Sequence, residues 1–402
     1  MAGFGLQAFF IVTLLGVGVT GQECMWNKDT DFPEYPPIIL DASLEIVRPV
    51  AEGGARVVRV SAGAKLTLAC PGSEIVNLGT TAVDVQCGGG NLLVVDGTEW
   101  RMDELGCSKK DKETIHRNLG SCGDGGVGVF EGIGFEIFGS DSFYELIRVC
   151  FEPKAETTLY SEHVLHGANI AAKDIDSSRP SFKSSTGFFT VSMSTCYTQN
   201  SQLASMKILL GDDDLANAII NPHEQYYFAK GHMAPDADFV TEAEQDATYY
   251  YINAVPQWQA FNNGNWKYLE FATRDLAESH STDLTIYTGG WGLLTLDDIN
   301  GNPVEIYLGL TEDEMVVPAP AITWKVVYEE SSSRAVGVVG VNNPHITSPP
   351  TPLCSDLCSS LAWIDFDVND LGHGYTYCCT VDDLRAAIPH VPDLGSVGLL
   401  DK

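Results

Sequence analysis

Eleven cysteines fall into three groups along the 402 residues: six between Cys24 and Cys150, a single Cys196, and four between Cys354 and Cys379. This grouping constrains the fold more than any other feature. Six and four can each pair internally, so disulfides are expected to staple both ends of the chain and to leave Cys196 as the unpaired thiol of a middle region. Which cysteine pairs with which is not readable from spacing. Zinc is the rival reading for Cys354, Cys358, Cys378 and Cys379, but the adjacent Cys378 and Cys379 suit bridges better than a tetrahedral cage.

Disulfides need an oxidising compartment, and the N-terminus offers a route to one. The first 21 residues carry no charged side chain, residues 9–19 are mostly apolar, and small residues at Val19 and Gly21 precede Gln22. A cleaved secretory signal over residues 1–21 is expected, with a non-cleaved anchor as the alternative. No later stretch has the roughly 18 unbroken apolar residues of a membrane helix, so an extracellular product without membrane association is expected. The chain contains no Asn-X-Ser/Thr sequon, and no N-linked glycan is expected.

The length suggests two or three domains. Their expected limits are a Cys-rich β domain at 22–152, a middle domain at 153–345, and a Cys-rich extension at 346–402 that follows a Pro- and Ser-rich linker. In the first region, alternation over residues 55–60 and 65–70 between Gly and Pro punctuation predicts short strands. The segment from Gly123 to Gly128 matches Gly-X-Gly-X-X-Gly, but it follows a cysteine rather than a strand and is dismissed as a phosphate loop. The middle region reads as mixed: helices over 213–220 and 261–279, strands over 226–229, 248–254 and 322–328, and a hairpin turning at Asn300-Gly301. In the second helix Trp266, Leu269 and Leu276 form an apolar stripe, while Glu270 and Arg274 lie one turn apart. A last short helix is expected over 382–388.

Net charge is −31, and no region is basic: 11 cations face 21 carboxylates in 22–152, 10 face 25 in 153–345, and 2 face 8 in the tail. This argues against a passive nucleic-acid coat, whose affinity comes from neutralising phosphates. Positive charge is rationed instead. Lys230, Lys267 and Arg274 fall in one stretch, and Lys173, Arg179 and Lys183 form a second cluster. The run Lys109-Lys110-Asp111-Lys112, with Arg117 nearby, reads as a solvated loop in preference to a DNA-docking patch.

The first of these stretches holds the parts for phosphodiester hydrolysis, which needs an activated water, charge compensation, and help for the departing oxygen. His232 titrates near neutrality and can accept a proton from water. Asn262 offers a neutral oxygen to a hard divalent cation, which typically keeps several waters and takes one or two protein ligands. Glu270 would orient the metal's waters, and Lys230 and Arg274 would hold the phosphate. Asp236 and Asp238 are expected to serve a turn rather than a metal. Other chemistries lack their signatures: His223-Glu224 has no second zincin histidine, no Gly-X-Ser-X-Gly occurs, and the 297–301 run does not space like an EF-hand.

Tyr227-Phe228-Ala229-Lys230-Gly231-His232-Met233-Ala234-Pro235 resembles the Asp-Arg-Gly-His signature of the DNA/RNA non-specific endonucleases. Asn253-Ala254-Val255-Pro256-Gln257, Asn262-Asn263-Gly264-Asn265-Trp266 and Leu269-Glu270 resemble that family's second block, and the layout with Leu165-His166-Gly167-Ala168-Asn169-Ile170-Ala171 ahead of it is similar to the crustacean branch of duplex-specific nucleases. The resemblance implies an α+β fold with a ββα-metal core of mixed or antiparallel sheet and helices, behind a disulfide-braced β-rich domain. It also implies magnesium, with manganese as a substitute, His232 as base, Asn262 as metal ligand, catalytic support from Glu270, Arg274 and Lys230, and substrate contacts from Asn253, Gln257 and Lys267. The implied activity is a secreted, digestive endonuclease that prefers double-stranded DNA, with DNA in DNA–RNA hybrids a further substrate, and leaves 5′ phosphates; no protein partner is implied. Alternatives are a nuclease indifferent to the sugar and a catalytically dead binding protein. Ala229-Lys230 stands where the family has Asp-Arg, and a lysine cannot fork onto a phosphate.

Overall fold

A ten-stranded sheet, antiparallel in all but one pairing, runs through the molecule in the order Ser121–Cys122, Gly128–Glu136, Phe143–Glu152, Thr157–His166, Asp283–Leu293, Pro320–Glu329, Arg334–Val341, Thr376–Cys379, with Thr114–His116 and Gly398–Leu399 attached at its sides. The computed structural model describes residues 21–139, 142–175, 179–310 and 315–402, so the expected leader lies outside the described residues. Both faces of the central strands are covered, which is why Arg334–Val341 reads as a nearly unbroken apolar run rather than an alternating one. On one face Leu284, Ile286, Val327, Val336 and Val338 pack with Leu269 and Leu276 of the helix Lys267–His280. On the other, Trp324, Val326, Val339 and Tyr377 pack with Leu384 of the helix Val381–Ala387.

The N-terminal strands form two smaller sheets. One pairs Cys24–Asn27, Ala55–Val60 and Val50–Glu52, and the other runs Ile38–Leu40, Lys65–Ala69, Ala82–Gly89, Leu92–Val95, Thr98–Arg101. Trp26, Val58, Leu68 and Leu93 give this region its own core, stapled by Cys24–Cys87 and Cys70–Cys107. Ile38, Leu40 and Ala69 turn outward to pack on Ile133, Phe135 and Ile147 of the large sheet and on Ala234 and Ile252. Cys122–Cys150, Cys354–Cys379 and Cys358–Cys378 complete the bridges, and Cys196 is free and buried. The mixed α+β class and the internal pairing of the six and the four are as the sequence indicates.

The large sheet crosses the boundary expected at 152, since Cys150 pairs with Tyr160 in register and the two strands are neighbours. Thr376–Cys379 likewise adds the tail to that sheet by pairing with Arg334–Val341. Cysteine grouping locates covalent bonds, which need not mark the edges of a sheet. Residues 248–254 are not the strand that their aromatic content suggests. They form a turn ending in a short 3₁₀ segment, Tyr251–Asn253, and the strand is Ala254–Trp258. Asn253 decides this, because its side-chain amide takes the Ala234 and Thr248 carbonyls and so fixes a local turn. Among the described residues, no helix is long and apolar enough to cross a membrane.

Candidate active site

Between the sheet strands Thr157–His166 and Asp283–Leu293 the chain makes an excursion that carries every residue singled out for phosphodiester chemistry. Phe228–His232 pairs antiparallel with Ala254–Trp258, and the chain then enters a helical stretch that runs to His280. Strand, strand and helix make a ββα unit, with the short helix Glu242–Ala247 in the connection between the two strands. Gly231 lies opposite Val255, and a Cβ added to it would come within 2.0 Å of Gln257 Oε1, so this position takes only glycine.

His232 ends the first strand, half-buried against Phe182 (4.8 Å between centroids) and Tyr249 (4.9 Å). Its Nε2 makes a long 3.5 Å contact with Thr248 Oγ1, whose hydroxyl already donates to the Gln245 carbonyl at 2.7 Å. Among the described residues Nδ1 has no protein hydrogen bond. Burial pushes the imidazole down to about 4, against the pull of Asp236 and with the help of Arg179 and Lys230. At neutral pH the ring is therefore uncharged and able to accept a proton. Lys230, two residues earlier on the same side of the strand, rests its ammonium 5.5 Å from the Phe182 ring and 5.6 Å from the Tyr197 ring, and burial lowers its pKa.

The helical stretch carries the other residues expected of the site. Asn262 opens a π-helical distortion, Asn262–Trp266, and is half-buried with no side-chain hydrogen bond among the described residues. The C-terminal extension clamps that distortion. Asn265 Nδ2 donates to the carbonyls of Asp367 and Gly374 at 2.8 Å each, and its backbone N–H donates to the His373 carbonyl at 2.9 Å. Glu270 lies farther along the helix. Burial pushes its carboxyl up to about 7, against the charges of Lys325 and Arg274. Lys267 is half-exposed and donates to Asn263 Oδ1 at 3.0 Å.

Three residues do not occupy the positions expected of them. Arg274 is buried and donates from Nη1 to Asp238 Oδ1 at 2.7 Å, so its guanidinium lies under the site, paired neither with solvent nor with Glu270. Asn253 and Gln257, expected to touch substrate, are both at 0% exposure. Asn253 clamps the turn after His232: its Oδ1 accepts from Ala234 N–H and Ser161 Oγ, each at 3.0 Å. Gln257 donates to Thr323 Oγ1 at 3.0 Å, and its buried Oε1 has no partner among the described residues. Their geometry suits holding the His232 strand in place, because a fully enclosed amide cannot reach a ligand.

Sequence reasoning missed the polar layer beneath. His163 Nε2 lies 3.0 Å from Asp238 Oδ2, and Lys325, at 1% exposure, donates to Thr288 Oγ1 at 2.7 Å. Burial alone would push the Asp238 carboxyl up. The His163 hydrogen bond and the charges of Arg274 and Lys325 outweigh it and hold the group well below the usual carboxylate range. Asp238 thus serves the structure, as expected, and Asp236 accepts the Tyr249 hydroxyl at 2.7 Å. A signal for this layer was the presence of Lys325 inside the otherwise mostly apolar strand Pro320–Glu329. Of the basic run at 109–112, Lys110 is engaged by Glu242 at 2.7 Å and Asp246 at 2.6 Å.

The donor set suits a hydrated hard cation. Asn262 supplies a free amide oxygen and Glu270 a carboxylate, while two other groupings of ligand atoms, Cys70/Cys107/Asp111 and Asp356/Cys358/Cys378, consist largely of disulfide sulfurs that cannot bind metal. No cluster of three His, Cys, Asp or Glu ligands stands beside His232 among the described residues, so an ion there would rely on water for most of its shell.

The chain is 28% identical to a salivary endonuclease of Lutzomyia longipalpis over 81% of its own length and 73% of that protein's. It is 24% identical to the salivary protein Tsal1 of Glossina morsitans morsitans over 95% of both chains. The solved EndoG/EndoGI complex aligns at a TM-score of 0.35 and 20% identity, over 52% of this chain and 76% of that one. Residues 127–384 match the family described as DNA/RNA non-specific endonuclease, and the chain belongs to that family of divalent-metal-dependent nucleases.

Proposed function

We propose that this protein is a secreted endonuclease that hydrolyses DNA phosphodiester bonds with magnesium, prefers the double-stranded form as the crustacean-like layout suggests, leaves 5′ phosphates, and acts in extracellular digestion of nucleic acid. The observation that carries the reading is the half-buried His232 closing the first strand of a hairpin whose second strand runs into the helical stretch bearing Asn262 and Glu270. The names of the salivary relatives support an extracellular setting. His232 Nδ1 takes the proton of the attacking water while Thr248 Oγ1 steadies Nε2. Asn262 would hold the cation and Glu270 would orient the waters around it; when bound, the ion would supply charge compensation at the phosphate and leaving oxygen. Lys230 meets the phosphate as a point charge. Arg274 contributes through Asp238 rather than by direct grip. Asn253 and Gln257 position the hairpin, and Lys267, half-exposed on the helix, offers substrate a further cation.

A second reading is a nucleic-acid-binding protein without catalysis, and one observation favours it: Arg274 is committed to Asp238, which removes a fork from the phosphate site. Nicking of supercoiled plasmid with magnesium, abolished by EDTA, separates the two. A purified chain that binds plasmid but never nicks it, with magnesium or manganese, supports the second reading and ends the first. Rates on duplex DNA, single strands, DNA–RNA hybrid and RNA then test the duplex preference, and equal rates would show indifference to the sugar.

A further inference from the structure

We propose that Lys173, carried by a loop that the N-terminal region latches through Asp174, is a positioning residue for the nuclease site. The inference rests on the nuclease reading above and gives the N-terminal region a part in the reaction. Lys28 and Arg56, both N-terminal, pair with the two carboxylate oxygens of Asp174. The Glu242 N–H donates to Asp174 Oδ2 at 2.8 Å. The backbone of Asp174 is fixed as well: its N–H donates to the Val240 carbonyl at 2.8 Å, and its carbonyl accepts from Gln245 Nε2 at 3.0 Å. Asn169, earlier in the same loop, donates to the Pro49 carbonyl at 3.0 Å.

With Asp174 pinned, the neighbouring side chain runs toward the site. Lys173 Nζ donates to the Ala237 carbonyl at 3.2 Å. Ala237 lies between Asp236, which accepts from Tyr249, and Asp238, which accepts from Arg274. The ammonium therefore ties down the turn that follows His232, with Asp236, Asp238, Glu270 and Arg274 as its charged neighbours. A lysine holds its head on one carbonyl at an entropic cost, and that cost is lower when its own backbone is already immobile. A second clamp flanks the first: Arg48 pairs with Glu244 at 2.6 Å, both side chains being nearly inaccessible, and Lys110 pairs with Glu242 and Asp246. The N-terminal region thus grips both the loop that carries Lys173 and the helix Glu242–Ala247 that follows the turn.

The test compares the full chain with Lys173→Met, Lys173→Arg and the double variant Lys28→Ala/Arg56→Ala, measuring kcat and KM on a duplex oligonucleotide with magnesium, and the melting temperature of each. Lys173→Met is expected to lower kcat about tenfold with KM within about twofold, and Lys173→Arg to recover most of the loss. The latch variant is expected to reproduce the kcat loss at temperatures well below its own melting point, although neither substituted residue touches the turn. A latch variant that melts lower but keeps the wild-type kcat would reduce the N-terminal region to a brace and overturn the proposal, as would a wild-type kcat for Lys173→Met. Absence of cleavage by the wild-type chain would instead bring down the nuclease reading, and this proposal with it.

Discussion

Replacing Asp238 by Asn removes one negative charge from the layer under the site without changing its shape. The amide oxygen can still accept from Arg274 Nη1, so little packing is lost; what disappears is the countercharge for a guanidinium with 7% side-chain exposure, and the atom facing His163 Nε2 becomes an NH2, which needs that nitrogen as its acceptor. Breaking a buried pair on one side costs about 3–5 kcal/mol. The low end applies, because Asn retains a hydrogen bond. An unfolding entropy of roughly 2.1 cal/mol/K per residue gives about 0.8 kcal/mol/K for a chain of 402 residues, so about 3 kcal/mol corresponds to a melting shift of about 4 °C. The sign with pH follows from a carboxyl whose folded pKa is depressed. Its contribution is complete above the unfolded value near about 4 and fades as pH falls through the folded one, so the gap between wild type and variant should persist over roughly pH 5–8 and close in acid. Calorimetry of both proteins across this range is the assay. A melting difference under about 1 °C at pH 7 would show that the Asp238 charge does not hold Arg274 in place.

Glu270 has the opposite sign. Its folded pKa is raised to about 7, so its favourable contribution is complete below the unfolded value and is lost as pH rises through about 7. Glu270→Gln should therefore flatten the fall in melting temperature of the metal-free chain between about pH 5 and 8, and an unchanged slope would contradict the burial of this carboxyl. Gly231→Ala places a Cβ against Gln257 Oε1 and should cost about 1–3 kcal/mol and most of the activity; wild-type melting and cleavage would show that the hairpin has slack. Because the net charge is −31, moderate salt at saturating magnesium should raise the rate of DNA cleavage before high salt lowers it. A monotonic fall from the lowest salt would mean that local cations, not the overall field, govern the encounter.

The ββα unit was legible through the motifs that carry the family resemblance, which lie within 42 positions from His232 to Arg274, whereas the second strand begins at Ala254 and does not span 248–254. The disulfide grouping was legible because every bridge closes within its own group. The polar layer was not. His163 and Asp238 are 75 residues apart, Thr288 and Lys325 are 37 apart on neighbouring strands, and a polar residue in a strand gives no hint of its partner. The direction of Arg274 was lost with that layer, because its anion comes from a turn on another element. Asn253 and Gln257 carry motif identities that read equally well as ligand contacts or as clamps, and only their complete enclosure separates the two. The limit at 152 failed to coincide with a sheet edge because strand pairing continues across it.

The proposed chemistry turns on one ring nitrogen, and His232→Ala tests it most directly. Single-turnover cleavage of a duplex oligonucleotide, with magnesium saturating and binding measured in parallel with calcium in its place, separates chemistry from affinity. A loss of about 10²–10⁴ in rate, with binding within a few-fold of wild type, is expected of a general base. Cleavage within about threefold of wild type would remove His232 from the chemistry and the mechanism with it.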